Sequence, residues 1–141
     1  MANRRLFDAS ALVDVILGEG SGTVGIDVVF DEVLLDLTRY EAANALWKIA
    51  VARDLLSDDE LRTAVDILGR LDNEVRFESA TGAELHRTMQ VAHRDGLTFY
   101  NASYLSIAER DDLSLVTEDG ALRDAAIRQD VPTETVREIG E

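Results

Sequence analysis

The chain has 141 residues, 46% of them hydrophobic, which is enough apolar material for one globular domain with its own core. It contains no cysteine, so disulfides, thiolate nucleophiles and thiolate zinc sites are excluded. Aspartate and glutamate number 28 against 14 lysine and arginine, a net charge of -14; at low salt such a surface repels nucleic acid, whose binding depends on neutralising phosphates with basic side chains.

Met1-Ala2-Asn3-Arg4-Arg5 leads into Leu6-Phe7 and Asp8 without the apolar stretch of a signal peptide, and no apolar run is long enough to span a bilayer. A cytoplasmic protein with no membrane partner is expected. Leu6-Phe7 reads as the end of a first strand. Ser10 is placed to cap a helix whose Leu12, Val13, Ile16 and Leu17 share one face, with Gly18 and Gly20 stopping it. Ser21 to Glu32 carries no clear pattern. Val33 to Leu37, apolar apart from Asp36, has the continuous hydrophobicity of a buried parallel strand. Thr38 then caps a helix striped by Ala42, Ala45, Leu46, Ile49 and Ala52, with Glu41 in its first turn.

Capping boxes at Ser57-Asp58-Asp59-Glu60 and Thr81-Gly82-Ala83-Glu84 open two more helices, and Val75-Arg76-Phe77 forms a short strand between them. Gly96 ends the second, and the helix carrying Asn101 begins almost at once. A strand from Leu113 to Val116, a helix from Asp119 to about Arg128 and a last strand near Val131 to Val136 complete the pattern. Pro132 cannot donate to a ladder, which confines that last strand to an edge. With no repeat or linker, residues 1–141 are expected to form a single α/β domain, a three-layer α/β/α sandwich around a mostly parallel sheet.

Asp8, Glu41 and Asp119 each follow a predicted strand, so a parallel sheet gathers them at its carboxyl edge, where open α/β folds hold their ligands. Asn101 joins them from the start of its helix. Side-chain oxygens without thiolates or suitably spaced histidines suit a hard cation, Mg²⁺ or Mn²⁺, and point to metal-assisted phosphodiester chemistry. Each residue also has a plainer role: Asp8 and Asp119 as helix caps, Glu41 as a first-turn acid on the helix dipole, Asn101 as a helix-start residue. His86 and His93 stand at i, i+7 and lack the spacing of a zinc pair. Tyr100 and Tyr104, four apart, are expected to pack beside the site, with stacking on an RNA base as the alternative, and Arg4, Arg5 and Arg39 flank it as candidates for phosphate contact. A phosphoacceptor receiver domain gathers acids similarly but needs a lysine near the end of its last strand. The only lysine, Lys48, lies in a mid-chain helix. Acidic, lysine-poor surfaces resemble those of halophilic archaea, where molar salt shortens the Debye length to about 3 Å and screens the repulsion of RNA.

Four segments carry a family resemblance: Phe7-Asp8-Ala9-Ser10-Ala11-Leu12, Tyr40-Glu41-Ala42-Ala43-Asn44-Ala45-Leu46, Leu97-Thr98-Phe99-Tyr100-Asn101-Ala102-Ser103-Tyr104-Leu105 and Leu115-Val116-Thr117-Glu118-Asp119. In order and distance they resemble the signature blocks of the PIN domain, and more narrowly the VapC-type ribonuclease toxins of toxin–antitoxin pairs. The resemblance implies a Mg²⁺- or Mn²⁺-dependent endoribonuclease acting on tRNA or rRNA, a homodimer, and a cognate antitoxin whose tail crosses the active site. It makes Asp8 a metal ligand, Glu41 a ligand or water-orienting base and Asp119 a ligand or supporting acid, with Ser10 and Thr117 holding the acids in place. The family's third acid falls on Asn101, whose amide oxygen can coordinate a cation but brings no charge. That departure supports an alternative, a catalytically weakened PIN domain that binds RNA or protein.

Overall fold

A computed structural model describes residues 4–18 and 24–140. Five short strands, β1 (Arg5–Phe7), β2 (Val33–Leu35), β3 (Arg76–Glu78), β4 (Ser114–Val116) and β5 (Thr133–Glu134), form one sheet in the order β3-β2-β1-β4-β5. Every pairing is parallel. Parallel strands need covered faces, and the side-chain alternation supplies both. Leu6, Val33, Leu35 and Leu115 point into one core, whereas Phe7, Leu34 and Val116 point into the other.

Helices α1 (Ala9–Leu17), α2 (Thr38–Trp47), α3 (Asp58–Gly69) and α7 (Val136–Gly140) cover the Phe7 face. Helices α4 (Gly82–Asp95), α5 (Phe99–Asp111) and α6 (Gly120–Arg128) cover the other. The result is the expected three-layer α/β/α sandwich. Both predicted capping boxes close, Ser57 with Glu60 and Thr81 with Glu84. β5 lies on an edge, and the Pro132 carbonyl accepts from Leu115 N at 2.8 Å.

Three expectations need correction. The apolar run after Glu32 leaves the strand at Leu35, and Leu37 is 53% exposed because it starts α2 instead of filling the core. Thr38 is the first residue of α2, not its cap; its buried hydroxyl bonds the Tyr104 hydroxyl at 2.7 Å. The last strand stops at Glu134, since Thr135 and Glu138 exchange side-chain and backbone hydrogen bonds as a capping box that opens α7. Gly20 and the first residues of the patternless stretch lie outside the described residues; Ile26–Val29 is a 3₁₀ turn.

Arg110 holds Glu84 at 2.7 Å, Asp111 at 2.7 Å and Glu78 at 3.2 Å, yet with 28 acids to 14 basic residues such pairing leaves many carboxylates without a fixed cation. The melting temperature is therefore expected to climb steadily from dilute buffer to molar KCl, as screening removes the repulsion. A melt indifferent to salt would show that surface charge does not limit this fold. Among the described residues no helix is long and apolar enough to cross a membrane.

Candidate active site

The sheet order places β1 beside β4, and the chain leaves these two strands in opposite directions, toward β2 and toward β5. Such a switch point opens a crevice at the carboxyl edge. Asp8 directly follows β1, and Thr117 directly follows β4. Asp8, Ser10, Glu41, Asn101 and Asp119 line one depression there, of about 330 Å³, together with Asn44, Lys48 and Tyr104.

Asp8 is the N-cap of α1, the role expected of Ser10. Its Oδ1 accepts from Ala11 N at 2.9 Å and from Ser10 Oγ at 2.6 Å, while Oδ2 accepts from Thr117 Oγ1. Ser10 Oγ in turn accepts from Glu118 N at 3.0 Å, and Thr117 Oγ1 from Asp119 N at 2.9 Å. The two hydroxyls thus stitch the end of β1 to the end of β4 and fix the Asp8 carboxylate in one orientation. Only 4% of Asp8 is exposed. A carboxylate offers about four lone-pair positions, and three are taken here, so Asp8 can accept one more ligand.

Asp119 caps α6 through Leu122 N at 2.9 Å while its side chain lines the depression. Glu41 stands half-buried in the first turn of α2. Asn101 belongs to the first turn of α5, where its backbone N–H donates to the cap Thr98 at 3.2 Å and its amide side chain takes no part in that cap. Burial raises the Asp8 pKa above the ordinary carboxylate value, and Asp119 adds to it; the Ser10, Thr117 and Ala11 hydrogen bonds oppose the rise. Burial likewise raises Glu41, with Asp8 and Asp119 adding repulsion and the Tyr100 hydroxyl acting against it. That hydroxyl is buried with no partner at hydrogen-bond geometry, and its own pKa is pushed up to about 12 by burial and by the Glu41 and Asp36 charges. Tyr100 and Tyr104 pack at 5.8 Å between ring centroids.

The donor set has the chemistry of a hard-cation site, all carboxylate and carboxamide oxygens. The charge repulsion that adds to burial in raising Asp8 and Glu41 is what a cation would relieve. Among the described residues, however, no three His, Cys, Asp or Glu side chains are grouped as a metal cage. The carboxylates line an open depression.

Arg5 lies in β1, where it pairs with Glu134 at 2.8 Å and Glu32 at 3.5 Å; Arg4 lines a separate hollow with Arg76 and Asp112. Arg39 is tied to Asp72 and stacks 4.5 Å over the Phe77 ring. None of the three lines the depression. His86 and His93 are exposed on α4. Asn44 and Lys48 are lining residues that the sequence motifs do not single out; their signal is helical spacing, since positions 41, 44, 45 and 48 share one face of a helix.

No family model matches the chain. It is similar to Exonuclease VapC9 of Pyrobaculum aerophilum, 39% identical over 89 residues covering 63% of this chain and 62% of that protein. It is also similar to Ribonuclease VapC3 of the same organism, 35% identical over 88 residues, with 62% and 66% covered. The chain thus spans less than two thirds of these two relatives' lengths. With Ribonuclease VapC1 of Mycobacterium tuberculosis it is 31% identical over 119 residues, covering 82% of this chain and 85% of that protein. The crystal structure of PAE2754 from Pyrobaculum aerophilum superposes with a TM-score of 0.72 at 31% identity, covering 99% of this chain and 88% of that one. Mycobacterium tuberculosis VapC20, described as a Sarcin-Ricin loop cleaving toxin, gives a TM-score of 0.63 at 15% identity, covers 86% of this chain and 94% of its own, and attests the fold alone. Sheet order and a carboxylate-lined switch point define a PIN-like α/β/α domain. The chain belongs to the VapC-type PIN-domain family.

Proposed function

We propose that this protein is a divalent-metal-dependent endoribonuclease, the toxin of a type II toxin–antitoxin pair, acting on RNA of the tRNA or rRNA class in the cytoplasm. The observation that carries the reading is the convergence of Asp8, Glu41, Asn101 and Asp119 on one depression in a VapC-type fold. Mg²⁺ or Mn²⁺ would be held by Asp8, Glu41 and Asp119 with the Asn101 amide oxygen. Such an ion, when bound, activates water and neutralises charge developing on the phosphate.

Asp8 is the fixed element, its carboxylate oriented by Ser10, Ala11 and Thr117 before any ligand arrives. Glu41, less constrained and raised in pKa, accepts the proton of the attacking water at its carboxylate. Asp119 supplies negative charge from β4's side, and the buried Tyr104 walls the depression from behind. The test is cleavage of total tRNA in molar KCl with Mn²⁺, with EDTA as control. Cleavage that requires the ion supports the reading. RNA binding without cleavage under any divalent ion transfers it to the binding-module alternative, which Asn101 and the open arrangement of the carboxylates favour.

A basic antitoxin tail carrying an arginine fits the same depression, since a guanidinium pairs bidentately with carboxylates. Tyr40 and Trp47, 74% and 52% exposed on α2, offer apolar contacts for the rest of such a tail. An antitoxin encoded beside this gene is expected to bind the wild type and to bind Asp8→Ala more weakly in pull-down; equal binding would move the contact elsewhere. A homodimer belongs to the same reading, and a monomer mass by light scattering in molar salt would remove it.

A further inference from the structure

Lys48 is the only lysine among 14 basic residues. Among the described residues it is also the only cation lining the acidic depression. It is exposed, at the C-cap of α2 on the face that carries Glu41 and Asn44, and among the described residues it forms no ion pair with the acids around it. At Lys48 itself the helix widens into a π turn, Lys48–Ala52, and Arg53 N donates to the Lys48 carbonyl at 3.0 Å. Such turns are rare and concentrate at functional sites.

Residue type matters here. An arginine fork in a hollow lined by three carboxylates would be captured bidentately, whereas an ammonium on a flexible four-carbon stem stays a mobile point donor. A hollow of that charge also repels the phosphates it has to receive. We propose that Lys48 is a further catalytic residue, whose ammonium contacts a non-bridging oxygen of the phosphate being cleaved. The inference rests on the nuclease reading above.

Lys48→Met and Lys48→Arg, assayed beside wild type, test it by three readouts. Lys48→Met is expected to lower kcat/KM on tRNA by about 10- to 100-fold, the range for a lost charge-assisted hydrogen bond, with partial recovery in Lys48→Arg. Mn²⁺ affinity by calorimetry should not weaken, since no ligand is removed. Binding of a short single-stranded RNA in Ca²⁺ should show a salt slope, log Kd against log[KCl], shallower by about 0.7, the loss of one phosphate contact. Cleavage within about twofold of wild type with an unchanged slope overturns the proposal. So does a fall in Mn²⁺ affinity parallel to the fall in activity, which would mean that Lys48 acts through the shape of the acid set. If wild type binds RNA but does not cleave it, the nuclease reading fails and the salt slope alone decides whether Lys48 touches phosphate. If it binds no RNA, both fall together.

Discussion

If the proposed metal-dependent cleavage holds, Asp8→Asn is expected to reduce RNA cleavage by about 100-fold or more, because it removes the carboxylate that Ser10, Ala11 and Thr117 hold in one orientation. The metal-free fold should be at least as stable. Asparagine keeps an oxygen for Ala11 N and Ser10 Oγ, and its amide can donate to Thr117 Oγ1, so the cap and the stitch between β1 and β4 survive. The pKa of Asp8 in the folded protein is raised above 3.8, chiefly by burial, so the folded state holds that proton more tightly than the unfolded chain does. Its contribution to stability is therefore greatest at acid pH and is lost as pH rises through the folded pKa. At pH 7 the asparagine variant escapes that loss, and the difference between the two proteins should vanish below pH 3.8, where both states are protonated. Thermal melts across pH and a cleavage assay decide it. A variant that cleaves within tenfold of wild type, or melts about 5 °C lower at pH 7, roughly 1 kcal/mol, contradicts the account.

Asn101→Asp should act in the opposite direction on activity. It adds one negative charge beside the proposed cation position at nearly constant volume. At 4 Å and an effective dielectric near 20 that attraction is about 4 kcal/mol per unit cation charge, before desolvation and exposure reduce it. Tightening of Mn²⁺ by about tenfold or more is expected, with faster cleavage. The helix should not object, since the residue's backbone N–H, not its side chain, meets the Thr98 cap, and an acid in the first turn suits the dipole. Calorimetry showing unchanged affinity would mean that residue 101 is not a ligand position.

The acids were legible in the sequence because each adjoins the end of an apolar run, and parallel pairing brings such ends to one edge whatever the strand order. Nearness in sequence misled at Arg4 and Arg5. A strand advances about 3.3 Å per residue, so residues three or four positions before Asp8 stand about 10 to 13 Å away along the strand, toward the amino edge. Lys48 and Asn44 stayed hidden because a helical face becomes meaningful only once the direction of Glu41 is known. The turn into α7 was readable, as Thr135-Val136-Arg137-Glu138 is a capping box, but the apolar Val131 and Val136 around Pro132 suggested a longer strand.

The hydrogen bond from Thr117 to Asp8 joins residues 109 positions apart. On a ribosome, Asp8 emerges well before its partner strand, and domains complete their folding only when all paired segments are available. A nascent chain ending at Leu113 would already contain Asp8, Glu41 and Asn101, yet β1 would have no β4 beside it and the crevice would have no second wall. The order of synthesis thus withholds the assembled site until β4 and the cap of α6 have left the exit tunnel.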